Sequence, residues 1–319
     1  VLTGPMIDER STDELREDVE TVETFARVEP GHKVQILRAL QANDHTVAMT
    51  GDGVNDAPGL RSADVGIAMG IRGTDIAKEA ADVVLQDDNF VTIVEAIAEG
   101  RRIFDNIRKF VNLLLSANTG EVLTVFFGVL IGTVLFTEQF ATGSEALILT
   151  PVMLLWINLV TDGFPAIALG VDPRAAGILE RSPRPPEESV IDNRVVALIL
   201  SIGVSITVVG LVLFFATLAR DGSLVAAQTV LFTFIVVTEM GIIQVIRRRY
   251  GQTILSNRYL VAAVAVSLVL HGLLLYTPLA GLFGVIPLGW EGWGLVLGGV
   301  SIVIVTNYAL SFVFDRVLA

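Results

Sequence analysis

From Ile103 onward the sequence is organised into long apolar stretches, and nothing else in it constrains the fold as strongly. Six stretches read as spans, at about 110–135, 148–170, 195–219, 225–246, 259–277 and 292–314. Each is near the roughly 20 residues that an α-helix needs to cross a hydrocarbon core. In that medium each backbone N–H and C=O must be satisfied internally, so the stretches are expected to be helices. Six buried helices of a soluble protein are disfavoured by the length of the stretches and their near absence of charge. The first span is expected to continue a helix begun near Ile103. Such a helix would be about 50 Å long at 1.5 Å per residue, longer than the bilayer, so its N-terminal part should stand clear as a stalk.

The loops set an orientation. Loop 171–194 carries Arg174, Arg181, Arg184 and Arg194, and loop 247–258 carries Arg247, Arg248, Arg249 and Arg258. The loops at 136–147, 220–224 and 278–291 carry only Arg220. Positively charged loops stay in the cytoplasm, which puts both ends of a six-span chain on that side.

Residues 1–100 differ sharply. They hold 20 acids against 8 bases, whereas residues 101–319 hold 14 of each, so the net charge of −12 resides in the first hundred residues. This asymmetry predicts two domains, 1–102 and 103–319. An acidic surface does not suit nucleic acid, whose backbone demands basic contacts. The absence of cysteine excludes disulfides and thiolate metal sites. Only 3 of the 22 bases are lysine, a balance that fits a salt-loving microbe or a GC-rich genome equally well. The chain opens Val1-Leu2-Thr3 without a signal peptide and is expected to be part of a longer protein. Within the acidic segment, Thr46–Met49, Val65–Met69 and Val83–Leu85 read as buried strands, and Gly31–Ala42 and Gly73–Ala81 as helices. That alternation predicts a parallel sheet wrapped by helices.

Three acids lie well inside the expected spans: Glu121, Asp162 and Glu239. A charge there costs several kcal/mol unless it is paired, hydrated or ion-bound. Asn118 stands three residues before Glu121, and Asn158, Thr161 and Asp162 share one helix face by their spacing. These are oxygen donors, which hard cations such as calcium prefer. No intramembrane lysine or arginine lies near them in sequence. A bound cation is one reading, and protonated acids in a helix-packing network are the other. Thr161-Asp162-Gly163-Phe164-Pro165 predicts an interrupted helix that frees backbone carbonyls, as transporters use at ion sites.

In the acidic segment, Thr50-Gly51-Asp52-Gly53-Val54-Asn55-Asp56-Ala57-Pro58 follows an expected strand. The glycines permit a sharp turn, and the oxygens gathered at the strand end suit magnesium. Lys33, near a helix start, is placed to put positive charge beside a phosphoryl group or to serve as an ordinary surface residue.

These segments resemble the P-type cation-transporting ATPases. TGDGVNDAP and FARVEPGHK are similar to the phosphorylation domain of that family, a haloacid-dehalogenase-like, Rossmann-type α/β fold. SANTGEV at 116–122, LLWINLVTDGFPAIALG at 154–170 and VVTEMG at 236–241 resemble the fifth, sixth and eighth membrane helices of calcium pumps. The resemblance implies a partial phosphorylation domain followed by an all-α six-helix transmembrane bundle. It implies that Asp52 holds magnesium, that Asn55 and Asp56 support it and the phosphoryl group, and that Lys33 contacts the phosphate. It further implies that Asn118, Glu121, Asn158, Thr161, Asp162 and Glu239 coordinate the transported cation, calcium foremost, at two sites. The proline-rich loop 171–190 matches one that meets the phosphorylation domain in the family.

The sequence contains no DKTGT, whose aspartate takes the phosphate from ATP, no TGE loop, no nucleotide-binding domain and no counterpart of the first four membrane helices. The sheet is therefore expected to be incomplete, and these residues alone to lack ATPase activity. The partners implied are ATP, the cation, the lipid bilayer and the missing N-terminal half, in a prokaryotic plasma membrane. A non-catalytic membrane ion-binding or regulatory protein is the principal alternative. A phosphatase on a membrane anchor fits less well, because an anchor needs no polar clusters.

Overall fold

A computed structural model describes residues 1–140, 147–184 and 189–317, so the loops expected at 136–147 and 171–194 lie partly outside the described residues. The chain divides into two compact units: Val1–Gly100 with Leu179–Glu188, and Arg101–Ile178 with Ser189–Ala319.

The first unit alternates strand and helix: β1 (Leu2–Thr3), α1 (Gly4–Asp8), α2 (Thr12–Thr21), β2 (Phe25–Ala26), α3 (Pro30–Ala42), β3 (Ala48–Gly51), α4 (Ala57–Ser62), β4 (Val65–Met69), α5 (Asp75–Ala80) and β5 (Val83–Leu85). All strand pairing is parallel, in a β1–β2 pair and a three-stranded β3–β4–β5 sheet. Ser11 and Glu14 form a reciprocal capping box that starts α2, and Pro30 opens α3 with a φ already suited to a helix. Successive β4 side chains face opposite ways. Ala68 packs with Leu60, Ala77 and Ala80 on one face, while Ile67 and Met69 pack with Leu85 on the other.

Three sequence expectations shift at their edges. The helix expected at Gly31–Ala42 opens one residue earlier, at Pro30. Strand β3, expected at Thr46–Met49, spans Ala48–Gly51, because the Val47 amide donates to Asp64 Oδ2 at 2.8 Å instead of to a strand. The helix expected at Gly73–Ala81 starts at Asp75, where the Thr74 hydroxyl accepts from the Ala77 amide at 3.3 Å.

The second unit is helical: the continuation of α6 (Phe90–Leu135), then α7 (Thr137–Phe140), α8 (Pro151–Trp156), a π-helical turn (Ile157–Thr161), α9 (Gly163–Leu169), α10 (Asn193–Asp221), α11 (Leu224–Arg248), α12 (Arg258–Tyr276), α13 (Ala280–Phe283) and α14 (Trp290–Val317). Among the described residues, six helical segments are long and apolar enough to cross a membrane, with α8, the π turn and α9 counting as one.

Helix α6 begins thirteen residues before the expected Ile103. Asn89 caps it, its Oδ1 accepting from the Val91 amide at 3.0 Å, and Gly100 does not interrupt it. Its 46 residues correspond to about 69 Å at 1.5 Å per residue. Helix α11 is the central one: 83% of its most apolar stretch is buried, against 28–44% for the other spans. Phe232, Phe234 and Ile235 of α11 pack with Phe214 of α10 and Val296 and Val303 of α14.

Candidate ion site

Three separate chain segments each deliver one acid to the interior of the helical unit. Glu121 comes from α6, Asp162 from the junction of the π turn with α9, and Glu239 from α11. One carboxylate oxygen from each lies within 4.8 Å of the others. Exposure is 5% for Glu121 and 1% for Asp162 and Glu239.

The local backbone explains how Asp162 reaches the other two. Its amide donates to Ile157 O at 2.9 Å, a five-residue step that widens the helix by one residue. Such π-bulges recur at functional sites. Pro165 lacks an N–H, so the preceding turn also loses a donor, and Ser267 Oγ supplies one to Val160 O at 3.4 Å. The interruption expected around Gly163 and Pro165 takes the form of a widened turn at Ile157–Thr161.

The polar company is unequal. Asn158 Nδ2 donates to Glu121 Oε2 at 2.8 Å, and Thr161 Oγ1 stands 3.5 Å from Glu239 Oε2 while also donating to Ile157 O at 2.8 Å. Asn118 Nδ2 turns back to Leu114 O at 2.8 Å on its own helix. Glu121 Oε1, both Asp162 oxygens and Glu239 Oε1 are buried and have no hydrogen-bond partner among the described residues. No lysine, arginine or histidine pairs with the three acids among those residues. Two unit charges 4 Å apart repel by about 4 kcal/mol at an effective dielectric constant of 20. The arrangement therefore demands a cation, or protons shared among the carboxylates.

The loop after β3 gathers the other sequence-chosen residues differently. Asp56 is buried, and its Oδ1 accepts from Lys33 Nζ at 2.7 Å. Its Oδ2 accepts from the Asp52 and Gly53 amides, each at 3.2 Å. Burial pushes the Asp56 pKa up, but the hydrogen bonds from Lys33, Gly53 and Asp52 outweigh it and hold the group below the usual carboxylate range. A Cβ on Gly51 would stand 2.5 Å from Asp56 Cβ, so the strand end closes over this acid only with glycine there. The side chains of Asp52 and Asn55 are exposed on the same loop. Asp56 thus serves as the loop's internal anchor and Asp52 as its outward carboxylate, a donor set that fits a magnesium ion held by one or two carboxylates and a substrate phosphate.

One further buried acid is not marked by the sequence pattern. Asp172, 0% exposed, follows α9 and accepts from Lys109 Nζ at 2.7 Å, Arg247 Nη2 at 2.8 Å and Asn257 Nδ2 at 3.0 Å. Burial pushes its pKa up, but the hydrogen bonds from Arg247 and Lys109 and the charge of Lys109 outweigh it and hold the group below the usual carboxylate range. The available signal was slight: Lys109 is one of only 3 lysines in the chain, and it stands at the edge of a predicted span.

Comparison with known proteins gives the arrangement its relatives. The family model described as "Cation transporting ATPase, C-terminus" matches residues 146–313, and that for haloacid dehalogenase-like hydrolases matches residues 8–64. A calcium-transporting ATPase of Bacillus subtilis is 42% identical over 305 residues, covering 93% of this chain and 33% of the relative. The endoplasmic reticulum calcium ATPase srcA of Aspergillus fumigatus is 37% identical, covering 98% of this chain and 35% of the relative. Calcium-transporting ATPase 2, endoplasmic reticulum-type, of Arabidopsis thaliana is 36% identical, covering 91% and 32%. The chain spans about a third of the length of these curated relatives.

Proposed function

The chain belongs to the cation-transporting ATPases, by their C-terminal family, and on that premise we propose that it is the ion-holding and coupling part of an ATP-driven calcium pump. One observation carries the reading: three buried carboxylates from three segments converge within 4.8 Å, with four of their oxygens lacking a donor among the described residues. A hard divalent cation with oxygen preference answers that demand, and the relatives' names point to calcium. Glu121, Asp162 and Glu239 supply the charge; Asn118, Asn158 and Thr161 supply neutral oxygens. Two sites fit this donor set better than one.

The remainder follows the same premise. Residues 1–102 form part of a Rossmann-type phosphorylation domain, and residues 103–319 form its stalk and an all-α bundle. Magnesium, held by Asp52 with support from Asn55 and Asp56, would supply positive charge at the phosphoryl group. Lys33, fixed by Asp56, adds a second positive charge there. ATP is the substrate of the complete pump, and motion of the phosphorylated domain reaches the ion through α6. The protein is multi-pass, with both ends of the chain on the cytoplasmic side of a prokaryotic plasma membrane. The 319 residues alone, without DKTGT, are expected to show no ATP turnover.

The test is ion-dependent phosphorylation of the full-length pump by ATP, screened over calcium, manganese, sodium and potassium. Calcium is expected to support it, and Asp162→Asn to abolish it while the protein remains inserted. Normal ion dependence in that variant overturns the site assignment. Ion binding without any phosphorylation of the full-length protein would favour the non-catalytic reading instead.

A further inference from the structure

Each helix or segment that carries a site acid also carries, several turns away, one member of the buried cluster around Asp172. Helix α6 holds Glu121 and Lys109. The π-bulged segment holds Asp162 and leads into Asp172. Helix α11 holds Glu239 and Arg247. The separations along the chain are 12, 10 and 8 residues, or about 18, 15 and 12 Å where the backbone is helical. The cluster therefore ties together, at one end, the same three elements whose acids converge further along.

The ties are short and buried. Lys109 and Arg247 are each 1% exposed. Lys109 Nζ also donates to Asn106 Oδ1 at 3.1 Å and lies 4.6 Å from the centre of the Tyr250 ring. Arg247 reaches Asp172 through both Nε and Nη2 and also donates to Thr253 O at 2.9 Å and Ser256 Oγ at 2.7 Å. Asn257 adds a fourth element: its Nδ2 donates to Ala168 O at 2.9 Å and to Asp172, while its Oδ1 accepts from the first amides of α12. A cluster with so many fixed donors has few alternative arrangements. Rigid elements joined by such a network transmit small displacements rather than absorbing them.

We infer that Lys109, Asp172 and Arg247 form a positioning clamp that fixes the spacing of Glu121, Asp162 and Glu239, and so sets the affinity and size preference of the site for a divalent cation. The inference rests on the proposed role of the three acids as cation ligands. The clamp residues touch neither the ion nor the phosphoryl group. They act by holding α6, the end of α9 and α11 in one register. Lys109 is the member to remove first, because its loss breaks the ion pair from α6 to Asp172, leaving the hydrogen bonds of Arg102 and Asn106 to the Gly170 and Asp172 carbonyls, and leaves Asp172 and Arg247 as a neutral pair.

The experiment uses the full-length pump with calcium and strontium as probes and reads the half-maximal concentration of each for phosphorylation, together with the maximal level. Lys109→Met is expected to raise the calcium half-point roughly tenfold, to leave the maximal level unchanged, and to move the calcium-to-strontium ratio toward unity. Asp172→Asn is expected to do the same and more. The double variant Lys109→Met/Asp172→Asn should be no worse than the more severe single one, since both break one connection. Arg247→Lys, which retains the charge but not the two-nitrogen grip, should fall between wild type and Lys109→Met. A purely structural role would lower thermal stability and yield without moving the ion ratio, and that result in Lys109→Met overturns the inference. Asp162→Asn runs alongside as the control. If it loses ion dependence while Lys109→Met keeps wild-type half-points, the clamp is wrong and the ion site stands; if Asp162→Asn is normal, the ion site itself is wrong. Should Asp172→Asn fail to accumulate, Lys109→Met decides alone.

Discussion

The two buried acid clusters of the helical unit present opposite solutions to one problem. At Glu121, Asp162 and Glu239, three carboxylates converge with two neutral side chains beside them and four oxygens left without donors among the described residues. At Asp172, a single carboxylate receives a lysine, an arginine and an asparagine. Burial is equal; compensation is not. An acid that arrives with its own cations is committed to holding helices in place. Acids that arrive without them depend on something from outside the chain, and that dependence is what a transport site requires.

The sharpest way to break this comparison is to neutralise one acid of each kind and measure thermal stability without calcium. Asp172→Asn leaves two buried cations short of a partner and should cost about 3–5 kcal/mol, as other broken buried ion pairs do. Glu239→Gln removes a repelling charge and should leave stability unchanged or raise it. Equal losses in the two variants would show that the acids are compensated alike. In the presence of calcium Glu239→Gln should fall below wild type, since the ion stabilises by mass action only a site that keeps all three acids.

A smaller effect concerns pH. Asp56 and Asp172 both have depressed pKa values in the folded protein. Each binds fewer protons when folded than when unfolded, so the stability it contributes is present above the unfolded carboxylate value, about 3.9, and fades as pH falls through the lower folded value. Thermal unfolding followed between neutral pH and about pH 3 should show this loss. The Lys33→Met variant should start lower and show a shallower acid-induced decline, because Asp56 then loses its largest favourable partner. An unchanged slope would mean that Lys33 does not hold Asp56 as described.

The smallest effect is at the margin of the ion site. Asn158→Ala removes the donor to Glu121 Oε2 and one neutral oxygen. A severalfold loss of apparent calcium affinity is expected, about 1 kcal/mol for one hydrogen bond, against complete loss for Asp162→Asn. Calcium titration of phosphorylation distinguishes the two outcomes.

Much of this was legible from local pattern. The six apolar stretches, the strands at Val65–Met69 and Val83–Leu85, and the turn chemistry of Gly51 to Pro58 are short-range properties written into neighbouring residues. The three intramembrane acids were equally visible, because a carboxylate in an apolar run is anomalous wherever the helix packs. The Asp172 cluster was not visible. Its members are separated by 63 and 75 residues, and each alone reads as an ordinary charge at a helix edge. The roles within the TGDGVNDAP loop were also hidden: two aspartates four residues apart look alike in sequence, yet one faces inward to Lys33 and two amides and the other faces out.

The sequence by itself determined that the chain has helical spans and a strand–helix segment, and that polar oxygens stand within otherwise apolar runs, since periodicity and composition are local. Only the tertiary structure decided which acids share a site and which are neutralised. That depends on helix packing and on a single π turn, whose extra residue rotates Asp162 toward Glu121 and Glu239. Electrostatic energy depends on distance through space, and distance through space is what a linear pattern does not carry.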